Sequence, residues 1–268
     1  MTTDMRDVLS DLVDEGADID QLVADATPKE WALPTAAPGW TVAHQVAHLA
    51  ATFRLAGVAV ANPTMFEAIV ARLTPDFDAN VSMAMAEYVA EQPDVLLGRW
   101  RTERDNAVAA LAAVPMDQMV PWLVNPLPAG VLACAGMMEL FGHGQDIADA
   151  LGKRREITDR IGHLVGFAVR TRDFGYLARK QTPPTTEFRF ETTAPSGALW
   201  TFGPIDATER ISGPAVDLCL LVTRRRHRAD LALTAIGAEA DHWLDIAQAY
   251  RGPAGTGRQP GQFAAAVR

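Results

Sequence analysis

Met138-Glu139-Leu140-Phe141-Gly142-His143-Gly144-Gln145-Asp146 is the stretch on which the reading of this chain turns. Glu139 and His143 stand four residues apart, and on a helix such positions share a face. A carboxylate oxygen and an imidazole nitrogen so placed can chelate one ion. The residues before and between them, from Val131 to Phe141, are otherwise apolar and small. A carboxylate in such a helix is expected to be partly buried, and a buried charge needs a partner or a metal. Asp146 lies three residues beyond His143 and shares its face approximately. It is expected to orient the non-ligating nitrogen of a histidine.

A third ligand must come from another helix. His44 and His48, again four apart, are the candidates, since either could reach across a bundle. Two histidines and one glutamate leave a coordination position open, which marks a catalytic site rather than a closed structural one. Zinc suits this donor set best, although nickel, iron and manganese also accept it.

Outward from this stretch, the helical signals continue in both directions. Ala129 to Leu151 reads as one long helix closed by Gly152. Earlier, apolar residues from Val8 to Val23 follow one helical face within Met5–Ala26. Thr41 can cap a helix running from Val42 to Ala61, which Asn62-Pro63 ends. Asn80 to Gln92 is helical in composition, and Pro93-Asp94 opens a helix to about Val114. Thr158 to Ala178 supplies one or two more.

The pattern changes after Lys180. Thr186 to Thr192 alternates as a strand does, and Leu199 to Phe202 pairs with it across a turn at Ala194–Gly197. Ala207 to Ile211 reads as a third strand. Helices follow from Gly213-Pro214 to Val222 and from Ala238 to Tyr250. The expected organisation is α+β: a helical bundle over residues 1–180, a small α+β domain over 181–255, and a disordered tail over 256–268.

The bulk composition narrows the function classes. The 268 residues carry a formal net charge of −9, which argues against nucleic acid or an anionic membrane as the main partner. No apolar run reaches the roughly 18 residues needed to span a bilayer. The acidic start, MTTDMRDVLSDLVDEG, has no basic and apolar leader pattern. With two cysteines, Cys134 and Cys219, a disulfide framework is not expected. These features predict a cytoplasmic protein; a monomer or homodimer is expected. The run Arg224-Arg225-Arg226-His227-Arg228 stands out locally; such a run is usually a solvated helix end.

Two segments together resemble a known family. Pro38-Gly39-Trp40-Thr41-Val42-Ala43-His44-Gln45-Val46-Ala47-His48-Leu49 is similar to the first signature of the mycothiol-dependent maleylpyruvate isomerase family, within the DinB-like superfamily. Glu139-Leu-Phe-Gly-His143-Gly-Gln-Asp146 is similar to its second, E-x-x-x-H-G-x-D. The resemblance implies a DinB-like four-helix bundle followed by a sterol-carrier-like α+β domain. It implies zinc, or another divalent transition metal, held by His48, Glu139 and His143, with His44 outside the ligand set. It further implies mycothiol as cosubstrate, its thiol activated at the open metal position. The reaction would be isomerisation or S-transfer on a small electrophile.

Arg104 is a separate candidate. It falls among Leu97, Trp100, Ala107 and Leu111 on an apolar face, and arginine is seldom buried without a partner. Lining a cleft, it would clamp a substrate carboxylate; packed against a neighbouring helix, it would form a salt bridge. Relatives often carry an arginine there. Arg104 and Asp146 are therefore the expected catalytic neighbours of the metal. Trp40 and Trp100 are read as core. Two other functions compete: a thiol-independent metal hydrolase, lyase or cyclase, and a non-catalytic metal-binding protein.

Overall fold

A computed structural model describes residues 5–263. The chain forms two compact units, residues 1–154 and 155–268.

The first unit is helical. Its elements are α1 (Met5–Val23), α2 (Pro28–Trp31), α3 (Val42–Ala61), α4 (Pro63–Val70), α5 (Phe77–Val89), α6 (Pro93–Ala112), a two-residue hairpin of β1 (Met119–Val120) and β2 (Leu127–Pro128), and α7 (Ala129–Leu151). The long helices α1, α3, α6 and α7 pack on one another as a four-helix bundle, with α5 against α3. Their shared core includes Leu12, Ile19, Leu49, Phe53, Trp100, Leu140 and Ile147. Each such side chain contributes about 1.5–3 kcal/mol on leaving water. Helices α3 and α6 approach closely because Gly57 has no Cβ; one built there would lie 3.2 Å from the Ala107 Cα.

Local chemistry sets the helix ends. Gly152 takes φ 62° after α7, the left-handed conformation that glycine adopts without penalty. Pro93 opens α6, where its missing N–H costs nothing. Asn62-Pro63 both ends α3 and starts α4, because the Asn62 side chain accepts from the Met65 N–H at 3.1 Å.

The second unit contains α8 (Gly162–Arg170), α9 (Phe174–Ala178), β3 (Phe188–Thr193), β4 (Leu199–Phe202), β5 (Glu209–Pro214), α10 (Ala215–Val222), β6 (Thr234–Ile236) and α11 (Ala238–Ile246). The sheet order is β4-β3-β5-β6. β3 runs antiparallel to β4, with Phe190 opposite Phe202, and parallel to β5, with Phe190 opposite Ile211. Phe188, Phe190 and Ile211 are buried. α10 and α11 pack on the sheet, and the Phe190 ring meets Trp243 edge-on at 5.5 Å.

Two boundaries differ from the sequence expectation. The break falls at Arg154, not near Lys180. α8 buries Leu164, Val165 and Phe167 and packs with α10, and Arg172 donates to the carbonyls of Pro184 and Thr186. A helix pattern reports an apolar face but not the layer that face will meet. The tail expected to be disordered makes defined contacts over 256–263. The Gly261 N–H donates to the Asp230 carboxylate at 2.8 Å, and Arg226 lies 3.9 Å over the Phe263 ring. Residues 264–268 of that tail lie outside the described residues.

Candidate metal centre

α7 carries Glu139 and His143 on one face, and α3 brings His48 against them. The His143 Nε2 is 3.1 Å, and the His48 Nε2 3.5 Å, from the same Glu139 oxygen, Oε2. Ligand atoms of the three residues all lie within 4.8 Å of one another. Ligands about 2.0–2.1 Å from a tetrahedral zinc would sit roughly 3.4 Å apart, so this spacing fits one ion. The side chains of His48, Glu139 and His143 retain 18, 21 and 13 % exposure; a small molecule can therefore reach them.

The electrostatics agree. Burial alone pushes the Glu139 carboxyl up. Hydrogen bonds from His143 and then His48 outweigh that and hold it well below the usual carboxylate range. The carboxylate thus stays charged, gathered with two imidazole nitrogens around one point.

His143 is also fixed from behind. Its Nδ1 lies 2.5 Å from the Gln45 Oε1. An amide oxygen only accepts, so the Nδ1 carries a proton, and the Nε2 is the nitrogen turned to Glu139. It donates to the carboxylate, or ligates a cation once its own proton leaves. Two imidazoles and one carboxylate that converge by their ligand atoms fit a divalent cation.

Gln45, fully buried, has its own orientation set by two further partners. Its Nε2 donates to the Thr35 Oγ1 at 2.9 Å and reaches the Asp146 Oδ2 at 3.5 Å. Asp146, itself 1 % exposed, thus stands behind His143 through Gln45. Gln45→Ala keeps all three candidate ligands but frees the imidazole. Outer partners of this kind typically contribute about 10–100-fold to metal affinity, and that is the expected loss. Competition against a chromogenic chelator measures it, and unchanged affinity would show that Gln45 does not hold His143 for the ion.

The remaining expected residues divide. His44 is turned away into the start of α3, where its Nδ1 accepts from the Thr41 N–H at 3.3 Å and meets the Thr41 Oγ1 at 2.8 Å. Trp40, expected in the core, is half-buried and lies over the site, its ring centroid 5.2 Å from His48 and 6.0 Å from His143. Thr52 places its Oγ1 3.4 Å from the His48 Nε2.

Arg104 finds its carboxylate within the protein. It pairs with Asp20 of α1 at 3.3 Å and with Asp105 at 3.1 Å. α1 admits it at Gly16, where a Cβ would lie 2.5 Å from the Arg104 Cδ. The anticipated clamp on a substrate carboxylate is thus replaced by the salt bridge to a neighbouring helix. Gln45 was overlooked in the sequence; its one available signal was its place between His44 and His48.

Comparison with known proteins agrees with this architecture. Residues 184–235 match the family model for wyosine base formation. Counterparts in two strains of Mycobacterium tuberculosis, both uncharacterized proteins, are 41 % identical over 250 residues, covering 93 % of this chain and 97 % of theirs. The crystal structure of a histidine-to-alanine mutant of mycothiol-dependent maleylpyruvate isomerase superposes with a TM-score of 0.57 at 14 % identity, covering 87 % of this chain and 93 % of that one. A second structure of that enzyme gives 0.53 at 14 % identity, covering 82 and 88 %. Residues 12–148, which span the bundle and all three residues of the cluster, match the family model for the mycothiol maleylpyruvate isomerase N-terminal domain, and the chain belongs to that family.

Proposed function

We propose that this protein is a metal-dependent enzyme that uses a thiol cosubstrate, mycothiol by family, to isomerise or S-conjugate a small electrophile. The observation that carries the reading is the convergence of His48, Glu139 and His143 around one point in a family named for this chemistry. These three residues would hold the ion, with zinc favoured by two imidazoles and one carboxylate. When bound, the metal supplies a Lewis acid with an open position, which lowers the pKa of an incoming thiol so that thiolate is available at neutral pH.

The chain's own groups set the rest. Glu139 offsets one positive charge of the ion. Gln45 accepts from the Nδ1 of His143 and so turns its Nε2 towards Glu139 and the ion. Trp40 covers the two histidine rings and restricts water on that side. The thiolate adds to an electrophilic carbon of the substrate. The displaced π electrons would pass to the substrate's activating carbonyl as an enolate; rotation and expulsion of the thiolate would then complete an isomerisation, and protonation of the enolate from solvent with the C–S bond kept would complete a conjugation.

The test is activity of the metal-loaded protein on an activated alkene such as a cis-configured α,β-unsaturated diacid, with and without added thiol. Turnover or adduct formation that requires both metal and thiol is expected. Equal turnover without thiol would overturn the thiol-dependent reading in favour of hydrolysis or Lewis-acid chemistry, and loss of adduct formation with metal still bound would favour a binding role.

A further inference from the structure

The basic run after α10 does not end in solvent. A cavity of about 230 Å³ lies within the second unit, lined by Arg179, Arg224, Arg226, Arg228 and Arg258 and by the glycine-rich segment 255–257. Among the described lining residues the one carboxylate is Asp245, which is paired with Arg228 at 3.0 Å; Asp241 takes the same guanidinium at 2.6 Å. Arginine thus dominates this lining in a protein whose net charge is −9.

Arg224 is the decisive residue. It follows the end of α10 with φ 59°, and its N–H donates to the Leu221 carbonyl at 2.8 Å. Helices that end this way normally place glycine in that left-handed position. Here the chain accepts backbone strain to put a guanidinium into the cavity. The Arg224 Nη1 is buried and has no hydrogen-bond partner among the described residues. Gly257, at φ 69°, lies so close that a Cβ would sit 2.6 Å from the Arg224 Nη2. Opposite, the Arg179 Nη1 is held by the carbonyls of Gly175 and Ile246, both at 2.9 Å. Burial, and then the nearby charge of Arg224, push the Arg179 pKa down. Strain, an unspent buried donor and like charges held together are costs that an anion between the guanidiniums would relieve.

We propose that this cavity is a binding site for a small molecule bearing a phosphate group. Guanidiniums recognise tetrahedral oxyanions through paired N–H donors, and several of them suit a dianion better than a single carboxylate. The volume is below the roughly 300–1,000 Å³ of sites for drug-sized ligands, which favours a phosphate monoester over a dinucleotide. The site lies in the unit that does not contain the His48, Glu139 and His143 cluster.

Calorimetric titration of the full chain at constant ionic strength tests it, with inorganic phosphate, glycerol 3-phosphate and malonate as probes. The Glu139→Gln variant is titrated in parallel, so that an anion ligating the metal is told apart. Saturable one-to-one binding of the phosphate probes is expected in both proteins, tighter than malonate. Arg224→Gly removes the guanidinium and relieves the strained backbone, so it should fold with an undiminished melting temperature. It should weaken phosphate binding about 10–100-fold, the worth of a charged hydrogen bond, and Arg258→Gln should weaken it as well. Absence of saturable phosphate binding, dependence on Glu139, or native affinity retained in both arginine variants would overturn the proposal.

Discussion

Glu139→Gln is expected to leave the bundle folded and to strip it of its metal. The substitution keeps the shape of the side chain and removes its charge. In the native protein the carboxylate is the one anion among the three converging groups, and its Oε2 is shared by both imidazoles. A neutral amide supplies a weaker oxygen donor and, turned the other way, presents N–H groups to the ion. Affinity should fall by more than the ~100-fold that marks the upper range for outer partners, so that metal no longer co-purifies in stoichiometric amount. Elemental analysis reads the metal, and circular dichroism reads the fold. His48→Ala should behave alike through loss of the α3 ligand. Because Glu139 is held well below the usual carboxylate range, its own protonation cannot mimic the variant in mild acid. If both variants retain one metal per chain, the ion is not held here.

Much of this architecture can be read from the sequence because its signals are local. Capping glycine, N-terminal proline and 3.6-residue periodicity place α3, α6 and α7 within two residues of where they fold. Helix α4 escapes notice because Asn62-Pro63 reads as a stop, although the same asparagine and proline also start the next helix. Strand β6 is three residues long, too short for alternation to register. The division at Arg154 escapes for another reason: α8 and α9 look like any amphipathic helices, and their partners lie far along the chain.

The His48, Glu139 and His143 cluster follows the same rule. Glu139 and His143 are legible because their relation is an i, i+4 spacing, and His48 enters through a motif. Gln45 meets His143 across 98 residues, and no property of a glutamine announces that it will receive an imidazole proton. Arg104 shows the converse error. Its inward placement is legible, but its partner Asp20 on α1 is not, so a structural ion pair looks like a substrate clamp.

The other large effect concerns stability. Trp100→Ala should destabilise the helical unit by about 3–5 kcal/mol, the usual cost of deleting a buried large aromatic. Trp100 is fully buried and meets Phe53 of α3 edge-on at 5.2 Å. Its Nε1 donates to the Asp20 Oδ1 at 2.8 Å, and the Arg104 guanidinium lies 5.6 Å from its ring. One side chain therefore ties α6 to both α3 and α1. Trp100→Phe separates the two contributions. It keeps an aromatic ring near Phe53 and loses the indole donor, while Asp20 keeps Arg101 at 2.9 Å and Arg104 at 3.3 Å. Its cost should be nearer 1–2 kcal/mol, about the worth of one hydrogen bond to a charged group plus a small void. Urea titration of both variants measures the difference. A cost below about 1 kcal/mol for the alanine variant would mean that the bundle refills the space and that Trp100 does not organise it. Metal content should be unchanged in either variant under folding conditions, because His48, Glu139 and His143 are carried by α3 and α7 rather than by α6. Coupled loss of stability and metal would instead show that the cluster depends on α6 to hold α3 in register with α7.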